Sequence, residues 1–411
     1  MPLDAIIAGQ PADSAQPALF RQPLLYTPFH ARTRAASTVD RFIPWAGYST
    51  VDVYTSVEQE YFAIRNGCSV YDISPMAKYE IGGTDAETFL NRLVTRDVRK
   101  IRPNRVSYAL WCDDSGRLVA DGTIFRMGDA EFLLCAAEHQ LDWLMASAIG
   151  FDVSIQDVTA RTAALSVQGP TSCAVLKQFG LLGVETLKPY HVRRFEVDGR
   201  ALMVSRNGFT GDLGYEVWIS PQDAHFLWNG LMEAGSDRAI RAIGSQALNI
   251  ARIEAGLIMQ DADFISAETA SFTGGMYTPL ELGLSRFVDF EKGHFTGRRA
   301  LLAEHRSGPA RCLVGLDIEG HHPAPRALVY ADRHCRHEVG ALSSATWSPT
   351  CKRNIGLAML DAGSAGLATS HWVEIYFSRE LQRERRVVRA VVTESRFFAP
   401  ARARRTPPDD V

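Results

Sequence analysis

The stretch VSYALWCDDSGRLVADGTIFRMGDAEFLLCAA, residues 106–137, constrains this chain more than any other. Its runs of β-type residues are broken by DDSG and by MGDA. Short breaks of Asp, Ser and Gly fold consecutive strands back on one another, so this part of the chain is a meander. A serine-nucleophile reading of DDSG fails on the same ground, because Asp-Ser-Gly between two strands serves a β-turn.

Helical stripes surround that meander. SVEQEYFAIRNG places Val57, Tyr61 and Ile64 on one face and ends near Gly67. DAETFLNRLVT turns Phe89, Leu90 and Leu93 inward, with Asp85 as its N-cap. EHQLDWLMASA, AVLKQF, DAHFLWNGLMEAG and GSQALNIARIEAG are further helices. KYEIGGTD reads as a short strand and turn, TAALSVQGP as a strand ending at Gly169-Pro170, and RRFEVDGRALMVSRNGF as a strand pair. After about residue 305 the pattern turns to strands with Gly, Pro and Ser at the joints, which makes a separate small β domain. Residues 1–24 are rich in Ala, Pro and Gln and read as a loose extension; ARARR at 401–405 reads as a solvated basic end.

At 411 residues the chain is too long for one core. A net charge of −3 gives no field that draws it to nucleic acid or anionic lipid, and no apolar run of about 18 residues exists to span a bilayer. Seven scattered cysteines, without a CxxC pair, suit reduced thiols and a cytoplasmic location. No metal is expected: RHCRHE at 333–338 spaces its ligands tightly without distant partners and reads as an exposed loop. Neither a phosphate-binding G-x-x-x-x-G-K-[ST] nor a strand-borne G-x-G-x-x-G occurs, and there is no G-x-S-x-G elbow.

Four segments then stand together: SYALWCDDSGRLVADGTIFR (107–126), SRNGFTGDLGYEVWIS (205–220), ARIEAGL (251–257) with TPLELGLSRFVDFEKGHFTGRRAL (278–301), and GALSSATWSPTCKRNIGLAML (340–360). In order and wording they resemble the aminomethyltransferase (glycine-cleavage T-protein) superfamily. EYFAIRNGCSVYDIS, FLNRLVTRDV and ALSVQGP match it too, over roughly residues 25–400. The resemblance implies an α+β, T-protein-like fold: interleaved mixed α/β subdomains (25–304) around a central folate-binding cavity, then a C-terminal β-barrel domain (305–400), with the 1–24 extension and the 401–411 tail outside. It implies tetrahydrofolate as cofactor, accepting a one-carbon unit at N5.

By that resemblance Glu216 matches the pterin-binding glutamate. A carboxylate can pair with adjacent N–H donors on a planar edge through two parallel hydrogen bonds; the plainer reading is a solvated strand glutamate. The glycines of GFTGDLG would let backbone approach a flat ligand. Asp121 matches the acidic residue beside the reacting nitrogens, where it could orient them and stabilise positive charge. Tyr108, Tyr215 and Phe209 join the cofactor site by the same carry-over, Phe209 standing where T-proteins usually have tyrosine. Arg252 either reaches the cavity or forms an ion pair. Trp111 is equally a core residue or a wall of the substrate end, shared there with Trp45. His30 is the candidate catalytic group touching substrate, set against the commoner structural histidine.

The chain departs from the T-protein pattern at Ala120-Asp121, where an Asp-Asp pair is usual, and at Leu248, where an additional arginine is usual. The segment 258–277 is also longer than the usual loop. These departures resemble the folate-dependent demethylases of the superfamily. They lead to an expected O-demethylation of a small methoxy-aromatic acid, giving the phenol and 5-methyltetrahydrofolate. The alternatives are glycine-cleavage aminomethyl transfer, demethylation of an N- or S-methyl compound, and a non-catalytic folate sensor. Against the last, His294 occupies the cysteine position of that branch's K-G-C motif. The expected partner is a small-molecule methyl donor, and the expected state a monomer or homodimer.

Overall fold

In the computed structural model, residues 24–271, 274–379 and 382–407 are described. The 1–23 part of the expected extension lies outside them. Two sheets form the larger part. The first runs Val192–Val197, Arg200–Ser205, Gly214–Ile219, Ala163–Gln168, Cys68–Asp72, Ile240–Ala242. The second runs Arg105–Cys112, Leu118–Arg126, Phe132–Ala136, Ala77–Gly82, Ser154–Asp157. The chain leaves the first sheet after Asp72, completes the second, and returns to the first at Ala163. The 106–137 stretch is the meander at the heart of the second sheet. Its Asp113 carboxylate accepts from the Arg117 N–H at 2.8 Å, and Gly116 takes φ +80°, where a side chain would be strained.

Strand alternation sorts the side chains into three layers. On the first sheet's outer face Val70, Leu165, Val167, Tyr215 and Val217 are covered by helices Ser172–Gln178 and Ala224–Ala234. On the second sheet's outer face Tyr79, Ala109, Trp111 and Ala120 lie under helix Ala86–Leu93. Between the sheets Tyr71, Ala164 and Trp218 of the first pack against Val106, Phe125, Leu133 and Cys135 of the second. Asp85 precedes helix Ala86–Leu93 without capping it; its carboxylate accepts instead from the Asp152 N–H at 2.9 Å.

Strands between Arg311 and Thr393 close into a six-stranded barrel with its own core, including Leu316, Val329, Leu342 and Val373. Closure leaves no free sheet edge. The boundary expected at 304/305 falls inside helix Arg298–Ser307. A three-stranded sheet near the N-terminus, Leu25–Tyr26, Tyr48–Val53 and Arg41–Trp45, is not foreseen from the sequence. Its hairpin turns at Ala46-Gly47, both at positive φ as a tight hairpin demands, but without the usual Asn or Gly in first place. The basic end is solvated only in part: Arg404 and Arg405 are exposed, whereas Ala401–Ala403 form a 3-10 turn and Arg402 is seated on buried Asp212.

Candidate functional site

Glu216 lies on the central strand Gly214–Ile219, paired with Ser205 on one side and Ser166 on the other; Ser166 in turn pairs with Tyr71. This row crosses the first sheet on the face that looks at the second sheet. Among the described residues Glu216 Oε2, Ser205 Oγ and Asn207 Oδ1 are buried and make no hydrogen bond of good geometry, although Asn207 and Ser205 lie near enough to Glu216 to act on its carboxyl. Burial pushes the Glu216 carboxyl up to about 7; Asn207, the positive charge of Lys78, and Ser205 pull the other way. Buried polar atoms are nearly always paired, so a group of unpaired ones marks a place for a hydrogen-bonding ligand.

The glycines before Glu216 are required by the protein's own packing. A Cβ at Gly208 or Gly214 would come within 2.0 Å of the Gln168 amide, and one at Gly211 within 2.5 Å of Ala255. Gln168 fills the space: it donates to the carbonyls of Asn207 and Tyr215 and accepts from Thr210 Oγ1 at 3.0 Å. Protein atoms come close to these glycines, which is reason enough for the absence of side chains there.

Asp121 faces Glu216's layer from the second sheet. It pairs with Leu110, on the same face as Tyr108, whose hydroxyl donates to Asp121 Oδ2 at 2.7 Å. Burial lifts Asp121 to about 6, with the Tyr108 hydrogen bond opposing, and lifts the Tyr108 phenol far above its ordinary value. Phe287 stands edge-on to the Tyr108 ring at 4.9 Å. The two sheets touch where Phe125 meets Trp218 at 5.4 Å; Trp218 is one pleat from Glu216, and Phe125 two pleats from Asp121. A cavity of about 620 Å³ on the far side of that contact, against Met203 and Leu133, touches neither carboxylate.

Other expected site residues are placed differently. Trp45 packs against the layer between the sheets: it stacks on Tyr71 at 6.1 Å and donates to the Ala137 carbonyl at 2.9 Å, next to the Ala136–Gly122 pair. Trp111 does not. Three positions from Tyr108, it points to the opposite face, is wholly buried under the helix, and donates to Gln140 Oε1 at 3.0 Å. Tyr215 likewise points away from its neighbour Glu216 into the helix-covered core. Arg252 is consumed by structure, binding Asp263, Ser344 Oγ (2.7 Å), Asn249 Oδ1 (2.8 Å) and the Leu257 carbonyl (3.2 Å). His30 opens helix His30–Ala36, where it stacks on Tyr26 at 3.9 Å and leans on Phe42 at 5.8 Å, both residues of the N-terminal sheet. Its imidazole is pushed down by burial and then by Arg34. Phe209 is half-buried in the loop, two residues from Asn207.

Two groups were missed. Lys78 lies wholly buried on the inner face of the second sheet and looked in the sequence like an ordinary strand lysine. Glu138, half-buried beside Trp45's anchor, is pushed up to about 7 by burial and then by Asp261 of the long loop. That loop is docked, not free: Ala267 donates to the Leu118 carbonyl, and the Tyr277 carbonyl accepts from Leu118. Leu248, in the place of the additional arginine, packs into the inter-sheet core. Among the described residues no cluster could hold a metal ion, and no helix is long and apolar enough to cross a membrane.

Two facing sheets with a carboxylate on each inner face, followed by a closed barrel, define a class: the T-protein fold. The GCVT N-terminal domain model matches residues 29–292, and the glycine cleavage T-protein C-terminal barrel domain model matches 311–398. The chain belongs to the glycine-cleavage T-protein family. It is 32% identical over 392 residues to the aminomethyltransferase of Geobacillus thermodenitrificans (strain NG80-2), covering 94% of this chain and 100% of that protein. It is 33% identical over 340 residues to the aminomethyltransferase of Geobacillus kaustophilus (strain HTA426), covering 81% and 90%. The crystal structure of glycine cleavage system aminomethyltransferase T from Bartonella henselae superposes with a TM-score of 0.79 at 23% identity, over 92% of this chain and 98% of that one.

Proposed function

We propose that this protein transfers a one-carbon unit to tetrahydrofolate held between Glu216 and Asp121. Aminomethyltransferases of the family use tetrahydrofolate as substrate and cofactor. The observation that carries the reading is the buried Glu216 Oε2, without a hydrogen bond of good geometry among the described residues, beside Ser205 Oγ and Asn207 Oδ1, in the layer that Tyr108 and Asp121 also face. Acceptor atoms of this kind fit a planar edge rich in N–H donors, such as a reduced pterin. The folate, when bound, supplies a nitrogen nucleophile. Tyr108 fixes Asp121 by holding Oδ2, leaving the carboxylate to orient the nitrogen and to stabilise charge as the carbon arrives.

An aminomethyl donor is the reading best supported, because the curated relatives over most of this chain are aminomethyltransferases. The methoxy-aromatic acid expected from the sequence loses one support, since Trp111 walls a core and not a substrate pocket. It keeps three: Ala120 and Leu248 in place of charged residues, and the docked 258–277 segment that brings Asp261 to Glu138 near Trp45. The deciding assay offers tetrahydrofolate with either an aminomethylated lipoyl carrier or a panel of methoxybenzoates. Ammonia release marks the first donor and 5-methyltetrahydrofolate the second. No heat on titrating tetrahydrofolate, or native affinity in Glu216→Gln, overturns the site itself.

A further inference from the structure

Lys78 is wholly buried, yet no carboxylate is bonded to it among the described residues. Its ammonium is gripped by the carbonyls of Ser74 at 2.8 Å and Met76 at 2.7 Å and lies 5.6 Å over the Trp218 ring. A buried cation satisfied by carbonyls alone is expensive, since dipoles replace hydration without neutralising charge. Register shows what the charge faces. Lys78 pairs with Cys135, Cys135 with Thr123, and Thr123 with Tyr108, so one row on the inner face joins it to the Asp121 partner. Opposite, Trp218 is one pleat from Glu216.

The groups acting on Lys78 are Cys135 and Asp157 from its own sheet and Asp72 and Glu216 from the facing one. Asp72 is already engaged, by Thr27 Oγ1 and the Ser74 N–H; Asp157 accepts from the Thr159 N–H. Of these carboxylates only Glu216 has a buried oxygen, Oε2, without a hydrogen bond of good geometry among the described residues; Asn207 and Ser205 are its near neighbours. We propose that Lys78 is a positioning residue whose fixed positive charge holds Glu216 ionised, and so able to accept paired N–H donors from the edge of a planar ligand. The ligand half rests on the folate reading of Glu216; the electrostatic half does not.

Burial pulls Lys78 down to about 8 and Glu216 up to about 7, so near pH 7 Lys78 is mostly charged and Glu216 about half ionised. Loss of Lys78 that raises Glu216 by about one pH unit would leave roughly a tenth ionised, roughly fivefold less of the binding form. The test titrates Glu216 by carboxyl carbon NMR in the ligand-free protein, assigned with Glu216→Gln, and measures tetrahydrofolate affinity by calorimetry across pH. In Lys78→Met the Glu216 midpoint is expected to rise by about one unit, with about fivefold weaker binding at pH 7 that recovers in alkali. Lys78→Arg is expected to restore both. A folded Lys78→Met with an unmoved Glu216 midpoint overturns the proposal. Where Lys78→Met does not fold, the unmodified protein serves: the Glu216 signal should show a second inflection near pH 8 as Lys78 titrates, and its absence overturns the proposal equally. A shifted midpoint combined with native folate affinity in Glu216→Gln would sink the folate reading and leave the electrostatic one standing.

Discussion

The proposed site would be made from two ordinary residues, Glu216 and Asp121, by where their strands are stacked. Each is a carboxylate whose burial raises its proton affinity, Glu216 to about 7 and Asp121 to about 6. The sign for stability follows. With its folded value raised above the usual 4.5, Glu216 makes the native state hold more protons than the unfolded chain, so stability falls as pH rises between about 4.5 and 7 and stays lowered above that. Glu216→Gln is therefore expected to melt a few degrees higher than the parent at pH 8 and alike at pH 4, by scanning calorimetry without ligand. The same variant should lose about a hundredfold in tetrahydrofolate affinity at pH 7, as two charge-assisted bonds are weakened. Asp121 must be ionised to stabilise cationic character, so turnover should fall as pH drops below about 6. Asp121→Asn should flatten that acid limb and lower kcat by roughly 10²–10³-fold while binding changes little. Equal losses in kcat and in affinity would instead make Asp121 a binding group. The parity rule that places Tyr108 and Trp111 on opposite faces was present in the sequence; which of those faces looks at the other sheet was not.

At the scale of elements, the loop before Glu216 is set from two sides. From below, Gln168 occupies the space that Gly208 and Gly214 leave. From outside, the C-terminal turn lays Arg402 on Asp212 with bonds of 2.6 and 2.9 Å, and Arg65 reaches the same carboxylate at 3.3 Å. A buried aspartate that loses a two-bonded guanidinium is left short of partners. Arg402→Ala should thus loosen residues 206–213, seen as faster amide exchange there, and weaken tetrahydrofolate binding by roughly tenfold with the barrel's exchange unchanged. Unaltered exchange in that loop would return the tail to a passive role. The sequence could not reveal this clamp, because ARARR at a chain end has the composition of a solvated terminus, and its partner lies 190 residues away.

For the whole molecule, the ARIEAG helix is the hub on which the barrel sits. Arg252 and Glu254 do not bind each other; they face separate networks. Arg252 ties Asp263 of the long loop to Ser344 of the barrel. Glu254 accepts from Tyr61 at 2.6 Å, from Arg65 at 2.9 and 2.6 Å, and from Ser348 of the barrel. Removing one member of such a buried set strands the others' charge, so Glu254→Ala should cost about 3–5 kcal/mol in denaturant unfolding. Folate affinity of the folded fraction should hold. A loss below about 1 kcal/mol would show that the barrel is seated by apolar contact alone.

The sequence by itself determined the local structure and the family. Turn chemistry and alternation set the meander and the strand pair Val192–Val197 with Arg200–Ser205, apolar stripes set the helices, and the motif order set the T-protein fold. Only the tertiary structure decided which side chains share a space: Trp45 beside Tyr71, Lys78 near Glu216, Tyr215, Trp111 and Arg252 withdrawn into the frame. The physical reason is range. Propensity and periodicity act within a few residues, whereas a carboxylate's proton affinity and a lysine's charge depend on sheets stacked across more than a hundred positions of chain.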